Sequence, residues 1–241
     1  MKRILLTTVL TFVCLAAMSQ RMNYIEVRNL PDGRYSDESS GVKITGRVLG
    51  GMKTGTWIEC HSNTELPHFI ANFVNDKLDG IYLEIDKQGS LLSQTEYKEG
   101  LLDGTSLKWA KGGRLVEMVS YKDGVKDGPV KLCYDKGTVK EESNYKNGQR
   151  DGVTVWYAYK EKEQGPKMAL YAYKDGKFDG VQETYYENGA VRTSKMFKDN
   201  VQDGPAAEYY EDGSIKWEAA YENGEVSGKV KEYAKGKKMP K

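Results

Sequence analysis

Cys60 and His61 are neighbours, and His68 follows seven residues later. These are the residue types from which a thiol nucleophile and its base are made. The chain has two histidines, so this stretch is where such chemistry would have to sit. The spacing argues against it, because adjacent residues of an extended segment point to opposite faces. As a metal set, the same three residues lack a second close Cys or His, and Glu59 or Glu65 would have to complete a tetrahedral site. A recurring Asp-Gly pair, Asp79-Gly80 through Asp203-Gly204, raises calcium. One carboxylate per repeat places them about 10 Å apart in a sheet, too far to share an ion. They read instead as turn residues whose side chains bond their own backbone. There is no phosphate-cradling loop, no dinucleotide fingerprint and no carboxylate pair distinct from the turn acids. No catalytic residue, metal or cofactor is assigned, and the chain is not expected to be an enzyme.

Aromatic side chains are the other group with a chemical use. There are 17 Tyr against 5 Phe. One column is Phe73, Tyr97, Tyr121, Tyr145, Tyr173, Phe197 and Tyr221; a second includes Trp109, Tyr157, Tyr185, Tyr209 and Tyr233. Tyr97, Tyr121, Tyr145, Tyr173, Tyr185, Tyr209 and Tyr221 are the candidate ligand-binding residues. They would form a grooved platform for a peptide strand or for sugar rings. The competing reading makes the same columns the core of a thin sheet.

The elements that carry them are repeats. The aromatics of the first column step by 24, 24, 24, 28, 24 and 24 residues, and each precedes an acidic or amide residue and two glycines. A third landmark, Gly89, Gly113, Gly137, Gly189 and Gly213, keeps the same phase. Gly51 and Gly55 extend the pattern backwards, and Gly33 and Gly41 form a degenerate earlier copy. The 28-residue step is an inserted loop between Tyr159 and Met168.

Within a unit, Ile81, Leu83 and Ile85 alternate with Tyr82, Glu84 and Asp86, a period of two that argues strand. Asn188-Gly189 between strand-like runs predicts a two-residue type I′ hairpin with Glu187 opposite Ala190. "KDGKFDG" predicts a longer turn. That register sets Phe197 across from Gly180, where an aromatic ring supports a cross-strand glycine. The fold class that follows is all-β: an elongated, single-layer antiparallel meander of about eight 24-residue hairpins, roughly 75 Å long by strand spacing. Cys60 and Cys133 fall at the position that Ile85, Trp109 and Tyr157 fill elsewhere. Three repeats separate them, about 30 Å, so no disulfide between them is expected.

The ends differ from the array. Lys2, Arg3 and the apolar run Ile4 to Ala17 read as a secretory leader, residues 1–19, cleaved before Gln20. A retained anchor and a lipidated Cys14 are the competing readings. Residues 20–47 carry the degenerate copy, 48–233 the array, and 234–241 a basic tail. Cleavage takes the formal charge from +1 to −1 by removing Lys2 and Arg3. That balance gives no field for nucleic acid.

"YKNGQRDGVTVWY", "YKDGKFDGVQETYYENG" and "FKDNVQDGPAAEYYEDGSIKW" resemble the bacterial variant of the MORN repeat (membrane occupation and recognition nexus) over residues 48–233. The resemblance implies an antiparallel β-meander used as a scaffold or binding surface, and some bacterial members carry an antitoxin label. The glycine here lies three residues after the aromatic, as in Tyr173 to Gly176, where the eukaryotic form has it two after. That departure keeps lipid binding from being carried over. The expected function is an exported scaffold that binds another protein in the periplasm or cell envelope. A glycan-binding or wall-binding module and an antitoxin or immunity-type inhibitor are the alternatives. Membrane contact is expected only with a retained or lipidated N-terminus.

Overall fold

The computed structural model describes Met22 and residues 25–236. The proposed leader, Cys14 and the last five residues of the basic tail lie outside them. The strands are β1 (Gly33–Ser39), β2 (Val42–Leu49), β3 (Met52–Cys60), β4 (Pro67–Val74), β5 (Lys77–Ile85) and β6 (Leu91–Lys98). They continue with β7 (Leu101–Ala110), β8 (Arg114–Lys122), β9 (Val125–Cys133), β10 (Val139–Lys146), β11 (Gln149–Arg150) and β12 (Gly152–Tyr157). The last are β13 (Lys167–Lys174), β14 (Lys177–Tyr185), β15 (Val191–Lys198), β16 (Val201–Tyr209), β17 (Ile215–Glu222) and β18 (Glu225–Glu232). Each pairs antiparallel with its neighbour in chain order, and β11 and β12 together act as one strand beside β10. The protein is an all-β meander in one open sheet.

The expected register is present. Gly180 lies opposite Phe197, and the same pairing joins Gly55 to Phe73, Gly80 to Tyr97 and Gly204 to Tyr221. The turns that produce it are the reverse of those expected. The two-residue loop is Asp175-Gly176, with φ 48° and 78° and Lys174 opposite Lys177. Positive φ at both positions is the type I′ signature. Asn188-Gly189 belongs to a three-residue loop instead: Gly189 N–H donates to the Tyr186 carbonyl at 3.0 Å and Tyr186 N–H to that of Ala190 at 2.8 Å. Glu187 is therefore in the loop and not opposite Ala190. A bulge between Thr184 and Tyr185 then skips one residue on β15 and restores the register. A three-residue loop ending in a left-handed glycine is the other common hairpin, and loop and bulge cancel in the count.

The Asp of each Asp-Gly pair also does something other than expected. Its carboxylate reaches the type I′ turn of the next unit. Asp79 Oδ2 accepts from Glu99 N–H at 3.1 Å, Asp103 from Asp123 at 3.2 Å and Asp127 from Asn147 at 3.0 Å. A turn leaves backbone donors unpaired, and this ladder satisfies one per repeat while tying consecutive units together. In the longer unit the strand ends at Tyr157 and resumes at Lys167, so the inserted loop is 158–166, and Lys167 and Met168 already belong to β13.

The core sits on one face, here called the inner face. Alternation puts three rows on it. The outermost is the first aromatic column with its cross-hairpin partners, such as Tyr97 with Leu102 and Tyr173 with Phe178. The middle row carries Trp57, Ala71, Tyr82, Val119, Val130 and Thr154, all buried. The third includes Phe69, Glu141, Trp156 and Trp217. At the N-terminal end this face is covered. Met22 and Val27 pack with Ile44, Val48, Trp57, Phe73 and Tyr82 in one buried cluster. Gly46 makes room there, because a Cβ on it would lie 2.2 Å from the Trp57 ring. Gly46→Ala is expected to cost about 1–3 kcal/mol by overpacking. A lower urea midpoint would show it, and an unchanged midpoint would contradict the packing described.

Candidate functional site

In the first column Phe73 is buried and the later members are half-buried: Tyr97, Tyr121, Tyr145, Tyr173 and Tyr221 stand on the inner face beside the residue five positions on. Burial pushes the phenols of Tyr97, Tyr121, Tyr145 and Tyr173 up. Tyr185 and Tyr209 are in the second column, and the register places that column on the opposite, outer face. There Tyr185 O–H donates to Glu183, Tyr157 O–H to Glu142 at 3.1 Å and Tyr233 O–H to Glu218 at 2.8 Å. Burial and the Glu183 bond push Tyr185 up to about 12. The seven tyrosines lie on both faces of the sheet. They divide five to two between the faces.

The inner face is not uniform along its length. At its N-terminal end a polypeptide lies on it. Lys53 Nζ donates to the Met22 carbonyl at 2.8 Å, and Met22 N–H donates to Glu59 Oε2 at 3.1 Å. Burial lowers the Lys53 ammonium, against the pull of Asp76. Lys53 Nζ also sits 5.3 Å from the Phe73 ring centroid.

Midway, the position filled by Leu78, Leu102 and Phe178 elsewhere holds Arg150. Its guanidinium is 5.2 Å from the Tyr145 ring, 5.4 Å from Trp156 and 5.7 Å from Tyr173. It donates to Glu141 Oε1 at 2.7 Å, and Trp156 Nε1–H donates to Glu141 Oε2 at 3.2 Å. Thr154 below is fully buried and accepts from Arg150 at 3.2 Å. Burial alone would raise the Glu141 carboxyl. The bonds from Arg150 and Trp156 outweigh it and hold the group below the usual carboxylate range. A depressed folded-state value means stability that is present above the ordinary Glu range, near 4.3, and lost as pH falls through the folded value. Unfolding at pH 7 and pH 3 should therefore show an acid loss in the wild type that is smaller in Glu141→Gln. Equal losses would contradict the assignment.

Farther on, the inner face opens into a cleft of about 220 Å³ between Phe178 and Phe197. Tyr171, Gln182, Thr184, Thr193 and Lys195 complete it. Tyr171 and Phe178 meet at 82° and Phe178 and Phe197 at 60°, so the rings form a notch.

Cys60, His61 and His68 do come close, but not as a nucleophile and base. The Cys60 Sγ lies 3.7 Å from the Glu65 carbonyl, and burial raises its thiol. His61 Nε2 is 2.8 Å from the Ile85 carbonyl. Tyr134, Tyr186 and Tyr210 stand at the same position of their units and bond Tyr157, Tyr209 and Tyr233 carbonyls in the same way. His61 is thus one rung of an inter-repeat ladder. It stacks on His68 at 4.2 Å, whose imidazole burial pushes down. Cys60 and Cys133 occupy the equivalent positions expected of them, and both are free thiols. Among the described residues no cluster of His, Cys, Asp and Glu could hold a metal ion.

Comparison with known families places this architecture. The profile described as MORN repeat variant matches residues 126–147 and 178–199. The chain carries MORN repeats. The two matched segments each run from a type I′ strand through the three-residue hairpin to the next turn. The other units share the glycine–aromatic register of the matched ones. None of the curated proteins compared matches the chain.

Sequence reasoning missed two features of the array. The Arg150–Glu141 pair had little signal, since Lys53, Lys126 and Gln202 also stand in the column of Leu78, Leu102 and Phe178. Met22 and Val27 had none, because they lie outside the repeat and carry no period.

Proposed function

We propose that the protein is an exported, non-enzymatic repeat scaffold that binds another protein in the periplasm or cell envelope through one long face of its sheet. MORN repeats suggest a scaffold for protein or membrane binding. The observation that carries the protein reading is the seat of Met22. A polypeptide backbone lies on the inner face at one end, bonded by Lys53 and Glu59. The rest of that face repeats the same rows. Export follows from the leader reading of residues 1–19.

A crosslinking pull-down tests it. Tagged protein from Gln20 to Lys241 is crosslinked in an envelope extract and the captured material is identified by mass spectrometry. One partner recovered at near-equal amount is the expected result, and its identity decides between a scaffold and an immunity-type inhibitor. Bait found in the sedimented wall fraction with no protein partner would overturn the reading in favour of glycan binding.

A further inference from the structure

We infer that the cleft lined by Phe178 and Phe197 binds a short segment of the partner protein through one apolar side chain and the peptide group beside it. This rests on the protein-binding reading above and narrows it to a site and a ligand chemistry.

At the first unit Met22 is gripped by side chains. The Lys53 ammonium takes the Met22 carbonyl and the Glu59 carboxylate takes its N–H. Lys53 stands five residues after Val48 and directly across the hairpin from it. Gln202 stands at the same position after Phe197 and pairs with it. Its Nε2 is buried and has no hydrogen-bond partner. Two strands back, Gln182 is 7% exposed. Its Nε2 donates to the Ala172 carbonyl at 2.8 Å, while its Oε1 is buried without a partner. Buried donors and acceptors left unpaired are costly and uncommon in native proteins. Here one of each flanks β15 on the inner face. Of the two, Gln182 lines the cleft, and a peptide N–H would satisfy its Oε1.

The wall selects the side chain. The notch of Tyr171, Phe178 and Phe197 fits a branched aliphatic or Met side chain, whereas the flat shelf that stacks a sugar ring is missing. Lys195 at the lip has no ion pair among the described residues, so an acidic residue beside the apolar one fits there.

The test is selection of a displayed library of unstructured 12-residue peptides on the full protein from Gln20. Affinities are then measured on three variants, each of which borrows a residue that another unit carries at the same position. Thr193→Trp, as at Trp217, fills the cleft. Gln182→Val, as at Val130, removes the free acceptor. Ser194→Leu, as at Leu170, changes the outer face only. The expected peptides carry an aliphatic or Met residue next to an acidic one. They should lose about tenfold or more in affinity on Thr193→Trp, roughly the worth of one good contact, and several-fold on Gln182→Val. Ser194→Leu should leave them unchanged. No enrichment over the bare support, or peptides that bind Thr193→Trp as well as wild type, overturns the inference. An envelope partner that still binds Thr193→Trp would remove the cleft while leaving the protein-binding reading in place.

Discussion

Arg150→Ala is expected to destabilise the protein by about 3 kcal/mol, the low end of the range for breaking a buried ion pair, because the Arg150 side chain is 25% exposed. Glu141 is 7% exposed and would be left charged beside Trp156 with its main donor gone. Three aromatic rings would also lose the cation they enclose, and each such contact contributes about 0.5–2 kcal/mol. The double variant separates the penalty of an orphaned charge from the worth of the pair. Arg150→Leu copies Leu78 and Leu102, and Glu141→Phe copies Phe69 at the equivalent position. With both in place, most of the stability should return, because a well-packed apolar pair replaces a buried ion pair at little cost. Urea midpoints read by Trp fluorescence decide it. A single variant within about 0.5 kcal/mol of wild type would place the pair among surface bridges, whose median worth is small.

Trp57→Ala should cost a similar amount, about 3–5 kcal/mol for truncating a fully buried Trp. Trp57 is 0% exposed and lies at the centre of the cluster that includes Met22, Val27, Val48 and Phe73. The Tyr35 ring stacks on it at 5.1 Å and Phe73 meets it edge-on at 6.1 Å. Because Met22 and Val27 rest on this ring system, its loss should also release the segment that covers the inner face. Trypsin cleavage after the exposed Arg28 should quicken in Trp57→Ala. It should stay at the wild-type rate in Trp217→Ala, at the other end of the array. Equal protection in both would mean that the segment is held by Lys53 and Glu59 alone.

Much of the fold was legible because the landmarks are backbone requirements. Gly180 has φ 106°, a conformation that side chains avoid, and its aromatic partner travels with it at fixed spacing. The turn types were not legible from dipeptides. Asp175-Gly176 and Asn188-Gly189 both satisfy the two-residue signal, yet the first closes a two-residue loop and the second a three-residue one, each with a bulge in its ladder. Loop length and bulge position depend on how the ladder is completed on both strands. The pairing of Gly180 with Phe197 survived because the two local errors have opposite sign.

The site was less legible. The aromatic columns were found, but their faces depend on parity counted through each bulge, which set Tyr185 and Tyr209 opposite Tyr173 and Tyr221. His61 looked chemical because its neighbours were Cys60 and Glu59. Its column, with Tyr134, Tyr186 and Tyr210, shows its role as an inter-repeat donor. Gln182 and Gln202 carried no signal as polar residues in a polar sequence. Only burial makes their unpaired atoms informative.

The most direct measurement of the central claim uses adjacent residues on opposite faces. A photo-crosslinking amino acid is placed at Thr193, on the inner face, and separately at Ser194, on the outer face, in tagged protein irradiated in an envelope extract. The account predicts a discrete protein adduct from position 193 and none from 194. An adduct from 194 alone, or none from either while the bait sediments with the wall, would contradict it.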